Sequence, residues 1–558
     1  MKRWLIRAAA SAGSGALLFL ACADFDIWPL GWVGFLPLLL VLCAESVTPR
    51  RAFLWGWLCG LVANAGGFYW ITLLLMRFGH MHFAPALLLF LLLAAYQGLH
   101  WGLFGYIVNR TRSRFARSAP HASAAPPLRA QSRQDLPMTL LAPVVMTAME
   151  LIMPFIFPWY LAITQAWVIP VIQVAELTGP LGVTFLMMLV NGLLFDLVTA
   201  WLRRRAGETA AWPIRPLIVT GAVMAAVLVF GFVRMAQIDA RRQAAPKVKI
   251  GVVQANIGIV EKGRAALASK HLALHHDVSR KLEREGAELL LWPESSYPYA
   301  FRRDMDRDWP AGHPYRVMLG LHVPLIFGSI TFQHGEKHPW NSALMMEPDG
   351  RITGRFDKNY LLIFGEYIPF YKQIPSFKKW FPEASHFNRG EEVTVFKFRD
   401  WNIGPLICYE DIIPSFGRRM APHSPNLLVN VTNDAWFGRT SEPWEHLALA
   451  VYRSVEMRLD LVRAVNTGIS AFIDANGRLG RHTQSYDPVV QPGVPPVGLS
   501  GEVAMLPGGK TLYALAGDWL GYLCLAGVLL LVFWPRRRGQ EPSRPSKPGR
   551  KAKRRRRT

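Results

Sequence analysis

The chain has 558 residues, too many for one domain of ordinary size. Hydrophobic residues make up 51% and charged residues 18%, with 20 Trp, which excludes a disordered or fibrous chain and points to a membrane protein. The formal net charge is +23, but residues 535–558 alone hold twelve Lys or Arg against one Glu. That basic tail follows an apolar run and lacks interleaved aromatics, so it reads as an anchor on anionic lipid and excludes nucleic acid as a partner.

Residues 1–236 contain seven apolar candidate spans, at 4–22, 27–43, 53–75, 84–108, 137–158, 167–200 and 217–236. Gly179-Pro180 interrupts the sixth and predicts a break there. The first resembles a signal peptide in outline, but another span follows at once, so it reads as retained. Lys and Arg gather in alternate loops, at Arg50 and Arg51, in 110–136, and at Arg203 to Arg215. Arg77 is the exception on the other side. The positive-inside rule then puts the N-terminus and the basic loops in the cytoplasm. The expected order is a seven-span domain (1–236), an external soluble domain (237–505), a last span (511–534) and a cytoplasmic basic tail (535–558). Segment 110–136 is rich in Arg, Ser, Ala and Pro and reads as a flexible cytoplasmic loop. Glu150, Glu176 and Asp196 lie in or near spans, where an acid is either functional or a helix-packing hydrogen-bond partner. A transporter gets little support, because internal repeats and paired helix breaks are lacking.

Residues 237–505 change character. Short apolar runs rich in β-formers recur at 248–254, 288–292, 323–330, 341–346, 393–398, 402–408, 426–432 and 469–473. Amphipathic patterns over Lys262–Glu285 and Glu445–Asp460 predict helices between them. Strands alternating with helices imply a layered α/β domain. His271, His275 and His276 are expected on a solvated helix face. No His pair has ligand spacing beside a carboxylate, so neither metal nor cofactor is expected.

Four of the five cysteines lie in apolar spans, and Cys408 stands alone in the polar part. No disulfide framework is available to it. Cys408 ends the run Trp401–Ile407, where strand gives way to turn, a place where a thiol is rigidly held yet reachable. Glu294 follows Leu291-Trp292-Pro293, and Lys358 follows Arg355-Phe356-Asp357. The three types together supply acyl transfer. A carboxylate takes the thiol proton, a thiolate attacks a carbonyl, and an ammonium steadies the oxyanion.

Glu294, Lys358 and Cys408, in that order, resemble the Glu-Lys-Cys set of the nitrilase superfamily. Longer stretches resemble its membrane branch, the apolipoprotein N-acyltransferases. They are Leu291-Trp292-Pro293-Glu294-Ser295, Asp357-Lys358, Phe364-Gly365-Glu366-Tyr367-Ile368-Pro369, Ile407-Cys408-Tyr409-Glu410, Asn433-Asp434-Ala435-Trp436-Phe437-Gly438 and, in the membrane region, Phe157-Pro158-Trp159 after Glu150. The resemblance implies an α-β-β-α sandwich beside a polytopic helical membrane domain in a bacterial inner membrane. It implies a phospholipid acyl donor and a diacylglyceryl-cysteine lipoprotein as acceptor. By the same resemblance Glu294 is the base, Lys358 the oxyanion stabiliser and Cys408 the nucleophile. Glu366, Tyr409, Glu410, Asn433, Trp436 and Phe437 are expected to support them. One departure is Gly263, near where family members often carry a Trp.

Segment 370–389 mixes Phe and Trp with Lys and reads as a lid that dips into lipid headgroups. The alternative function for the same three residues is a membrane-tethered amidase or nitrilase, with water as acceptor.

Overall fold

The computed structural model describes residues 1–115, 136–368, 373 and 386–533. Most of segment 370–389 and of loop 110–136, and all of the basic tail, lie outside the described residues.

The N-terminal half is a helical bundle. Among the described residues, three of its helices are long and apolar enough to cross a membrane: Phe83–Arg112, Pro180–Arg205 and Ile214–Ala244. A fourth candidate is the pair Pro49–Gly67 and Trp70–Arg77, bent by 56°. Shorter apolar helices include Met138–Ile152 and Trp519–Phe533. Ile214–Ala244 exposes Ile218, Val229 and Phe232, which suits a lipid-facing helix. Small residues let other helices touch. A Cβ on Gly60 would lie 2.8 Å from Gly98 Cα, and one on Gly56 would lie 2.2 Å from Trp101 O. The run 167–200 is broken where expected: Gly179 has φ +65° and starts Pro180–Arg205.

The three acids singled out in or near spans are hydrogen-bonded. Asp196 accepts from Met138 N and Thr139 N, both at 3.0 Å, and so caps helix Met138–Ile152. Glu150 accepts from Leu161 N at 2.8 Å and Thr184 Oγ1 at 2.7 Å. Glu176 binds Arg234 at 2.7 Å and Arg458 at 2.6 Å. Glu150 thereby fixes the non-helical arm 153–160, and Glu176 ties the bundle to the soluble half.

The soluble half is two sheets between helices. The first sheet runs β13-β1-β2-β4-β5-β6, with β3 on β4. Its strands are β1 (Lys247–Gln254), β2 (Leu289–Leu291), β3 (Phe301–Arg302), β4 (Leu325–Phe332), β5 (Trp340–Met346), β6 (Ile352–Asp357) and β13 (Val497–Ala504). The second runs β12-β11-β10-β9-β8-β7. Its strands are β7 (Phe396–Phe398), β8 (Trp401–Ile407), β9 (Leu427–Thr432), β10 (Leu461–Val465), β11 (Ala471–Ile473) and β12 (Leu479–His482). Side chains alternate across a strand, and both faces of the first sheet are covered. Ile250, Val252, Leu289, Leu291 and Met345 point to the core shared with the second sheet. Val253, Leu290, Trp292, Leu344 and Met346 point to helix Ala268–Arg284. Helix Glu442–Met457 covers the other sheet, so the layers are α-β-β-α.

The His residues of helix Ala268–Arg284 correct the expectation of a solvated face. His271, His275 and His276 are all buried. His275 and His276 pack on Trp292, with ring centroids 5.0 and 5.7 Å away. His276 Nε2 reaches Val317 O at 2.8 Å. Burial holds His275 down at about 3, a neutral ring. The aromatic platform overrides the polar look of the sequence.

Candidate active site

Glu294, Lys358 and Cys408 all follow strand ends. β2 ends three residues before Glu294, β6 ends at Asp357, and β8 ends at Ile407. Gly328 in β4 makes room for the first: a Cβ there would lie 2.4 Å from Ser295 N and 2.6 Å from Glu294 Cα. Cys408 opens a 3₁₀ turn with φ +50°, a conformation that costs a non-glycine residue about 1–3 kcal/mol. Asn430 Nδ2 holds it by donating to Cys408 O at 3.1 Å.

Lys358 is 2% exposed, and its Nζ lies 3.2 Å from Glu294 Oε1 and 2.8 Å from Glu366 Oε2. Burial works against its charge, yet the Glu294 and Glu366 carboxylates hold its pKa well above the ordinary lysine value. Asn341, in β5, binds both acids, donating to Glu294 Oε1 at 2.7 Å and Glu366 Oε1 at 2.8 Å. Glu366 also accepts from Leu362 N at 2.9 Å. Burial pushes the Cys408 thiol up, the Glu294 charge pushes it further, and Lys358 pulls it back. The resting thiol is therefore protonated and needs a base.

Glu410 is the clamp. Its carboxylate accepts from Asn359 N at 2.6 Å, Tyr360 N at 3.1 Å and Ile407 N at 2.8 Å. Tyr409 reaches the bundle, donating to Ile156 O at 2.6 Å. Phe437 meets Trp70 edge-on at 5.0 Å, and Trp436 meets Phe78 at 4.9 Å. Asn433 Oδ1 accepts from Asn466 Nδ2 at 2.9 Å. Asn433 and Trp436 thus shape the loop behind the site, while Tyr409 and Phe437 line its opening.

The thiol opens onto a cleft with about 490 Å³ of empty space, part of it open solvent. Its walls are mainly apolar and come from both halves. Phe68, Trp70, Phe157 and Trp159 belong to the bundle, and Leu362, Phe437 and Leu449 to the sandwich.

Sequence reading missed Asn341 and a charged cluster behind the thiol. Asn341 has a signal in retrospect, a carboxamide in the apolar run of β5. In the cluster, His446 lies 2.8 Å from Asp411 and 3.3 Å from Asp434, and buried Arg463 lies 3.5 Å from Asp411. Asp434, Glu442 and His446 bring three possible ligand atoms within 4.8 Å. Resident cations already face Asp411 and Asp434, so the cluster fits an internal ion network.

A buried strand-end thiol beside a carboxylate–ammonium pair, on an α-β-β-α sandwich joined to an apolar bundle, defines a membrane acyltransferase of the nitrilase superfamily. Residues 14–193 match the Apolipoprotein N-acyltransferase N-terminal domain, and residues 249–484 match Carbon-nitrogen hydrolase. The apolipoprotein N-acyltransferase of Geobacter metallireducens is 32% identical over 526 residues, 93% of each chain. That of Bdellovibrio bacteriovorus is 31% identical over 490 residues, 83% of each chain. The chain belongs to the apolipoprotein N-acyltransferase family. Among solved structures, an amidase from Nesterenkonia sp. is similar at 18% identity, covering 49% of this chain and 96% of its own, with a TM-score of 0.35.

Proposed function

We propose that the chain moves a fatty acyl group from a membrane phospholipid to the α-amino group of an apolipoprotein's N-terminal diacylglyceryl-cysteine. Glu294 takes the Cys408 proton, and the sulfur attacks the ester carbonyl. The C–S bond forms, the ester C–O bond breaks, and the lysophospholipid leaves with the proton from Glu294. Lys358 faces the developing oxyanion. Glu366 and Asn341 fix Lys358 and Glu294 in place. The acceptor amine then displaces the thiol from the thioester.

The observation that carries this reading is the cleft. Its bundle walls, Phe68, Trp70 and Phe157, put an apolar surface of the membrane domain beside the thiol, where an acyl chain can lie. An enzyme using water on a soluble amide would gain nothing from such walls.

The same reading locates seven spans in 1–236, a last span at 511–534, the sandwich on the periplasmic face of a bacterial inner membrane and the basic tail in the cytoplasm. Charge asymmetry supports it, and so does Arg77. This exception among the basic residues pairs with Asp487 of the sandwich at 2.8 Å.

The test is the intact mass of protein purified from membranes. The expected result is a fatty-acyl adduct that disappears in Cys408→Ser. An adduct that survives this substitution overturns the assignment. For topology, a cytoplasmic reporter should be silent after Ala244 and active after Arg538.

A further inference from the structure

Two carboxyls of the cleft have no task in that scheme. Glu442 and Glu445 sit on the first turn of helix Glu442–Met457 and line the cleft that holds the thiol. Glu442 is 8% exposed and Glu445 5%. Glu442 Oε2 makes no hydrogen bond. The two nearby cations are engaged elsewhere: His446 lies 2.8 Å from Asp411 and 3.3 Å from Asp434, and Arg463 lies 3.5 Å from Asp411. The nearest cation to Glu442 is His446 Nδ1 at 3.6 Å, which is closer to Asp434 at 3.3 Å. Among the described residues, no Lys or Arg forms an ion pair with Glu442 or Glu445. Burying a carboxyl is costly unless a cation pairs with it, and here Glu442 shares one imidazolium with Asp434, which leaves room beside the two carboxyls for a further cation.

We infer that Glu442 and Glu445 form the subsite that receives the acceptor's ammonium group. This rests on the acyl-transfer reading above. An α-amino group titrates at about 7.7–8.0, so it enters largely as an ammonium without a free lone pair. It must be held as a cation and then lose a proton before it can attack. Burial holds Glu445 up at about 8, against the Ser441 and Trp70 side chains that steady its charged form and with the charge of Asp24 adding to the rise. Burial and the Asp434 charge raise Glu442 well above the carboxylate range. The His446 charge in the same cleft pulls Glu442 back only in part, so an incoming second cation favours ionisation of both carboxyls. The Trp70 and Phe437 rings in the same walls also suit an organic cation.

The protons balance. One passes from the ammonium to a carboxylate of the subsite and on to solvent. The freed amine attacks the thioester carbonyl, the C–N bond forms and the C–S bond breaks. The second nitrogen proton goes to Glu294, which returns it to the leaving thiolate.

The test separates the two half-reactions in the full-length protein in detergent. The acyl-enzyme is formed with a fluorescent phospholipid. It is then chased with a diacylglyceryl-cysteine lipopeptide or with hydroxylamine, which is neutral at pH 7. Glu442→Gln and Glu445→Gln should raise the lipopeptide concentration for half-maximal transfer at least ten-fold. Their acyl-enzymes should react with hydroxylamine as the parent does, because that nucleophile needs no ammonium site. Glu445→Asp should restore part of the lipopeptide step. Equal loss with both nucleophiles, or unchanged lipopeptide transfer, overturns the subsite. Absence of any acyl-enzyme in the parent protein overturns instead the reading on which it rests.

Discussion

The Glu410 carboxylate accepts a 2.6 Å hydrogen bond from the backbone N–H of Asn359. Its second oxygen takes the N–H of Ile407 at 2.8 Å. One buried side chain therefore grips the residue after Lys358 and the residue before Cys408. Ammonium and thiol stand on different sheets, and this carboxylate sets their spacing.

Glu410→Gln should break that spacing. The amide keeps one acceptor and turns an NH₂ toward backbone N–H groups, leaving at least one buried donor unsatisfied. That costs about 1–3 kcal/mol in stability. Acylation should fall about 100-fold, because a small misplacement of reacting groups is enough for that loss. Thermal unfolding and single-turnover acylation measure the two effects. A Glu410→Gln protein with normal acylation would show that the clamp does not position the pair.

Gly328→Ala tests the other approach. The new Cβ would meet the Ser295 nitrogen and the Glu294 Cα, both main-chain atoms that cannot swing aside. Overpacking of this kind costs about 1–3 kcal/mol. Glu294 should shift away from Lys358, and acylation should fall while phospholipid binding persists. Equilibrium binding of a fluorescent phospholipid, compared with acylation rate, distinguishes this from general unfolding.

Much of this was legible in the sequence because strands and their ends carry strong local patterns. β1, β2, β4, β5, β8 and β9 lie within two residues of the expected apolar runs at each end. β6, β10 and β13 were not foreseen. β6 carries Arg355 and Asp357 in a sheet-edge strand, β10 buries Arg463 at its centre, and β13 contains Gly498 and Gly501. In each, charged residues or glycines keep the apolar residues from running together as they do in the strands that were expected. The three residues proposed as catalytic, Glu294, Lys358 and Cys408, were legible as strand-end residues with the right chemistry. Asn341, Arg463 and the Glu442–Glu445 pair were not, since only tertiary contact gives a lone polar residue its meaning. The buried histidines on Trp292 fail for the same reason.

Glu150 carries a prediction about the bundle. It holds Leu161 N and Thr184 Oγ1, and so the arm that supplies Phe157 and Trp159 to the cleft. Glu150→Ala removes both bonds and leaves a buried N–H unpaired. The arm should loosen, and acyl-enzyme yield should drop several-fold in Glu150→Ala while Thr184→Val, which removes one bond, loses less. Limited proteolysis between residues 153 and 160 should rise in the same order. Resistance equal to that of the parent protein would show that the arm is held by packing alone.

Lys358 and Glu294 share an ion pair at 3.2 Å, yet their substitutions should leave different signatures. Glu294→Gln keeps the shape and the contact to Asn341 but removes the base. It also removes a negative charge that raises the thiol, so the Cys408 pKa should fall somewhat while remaining above its ordinary value through burial. Acylation should be slow at neutral pH and rise with pH as thiolate forms unaided. The parent enzyme should lack this steep rise, because Glu294 takes the proton there. Lys358→Arg keeps the charge but not a compact ammonium between two carboxylates, and a planar fork does not fit that gap. Loss of the oxyanion contact should cost about 100- to 1000-fold. Both half-reactions pass through a tetrahedral intermediate, so Lys358→Arg should slow acylation and transfer alike. Single-turnover kinetics with a fluorescent phospholipid, followed by a lipopeptide chase across pH 6 to 9, measures all of this. A flat pH profile in Glu294→Gln would remove Glu294 from the role of base, and normal acylation in Lys358→Ala would remove Lys358 from the oxyanion site.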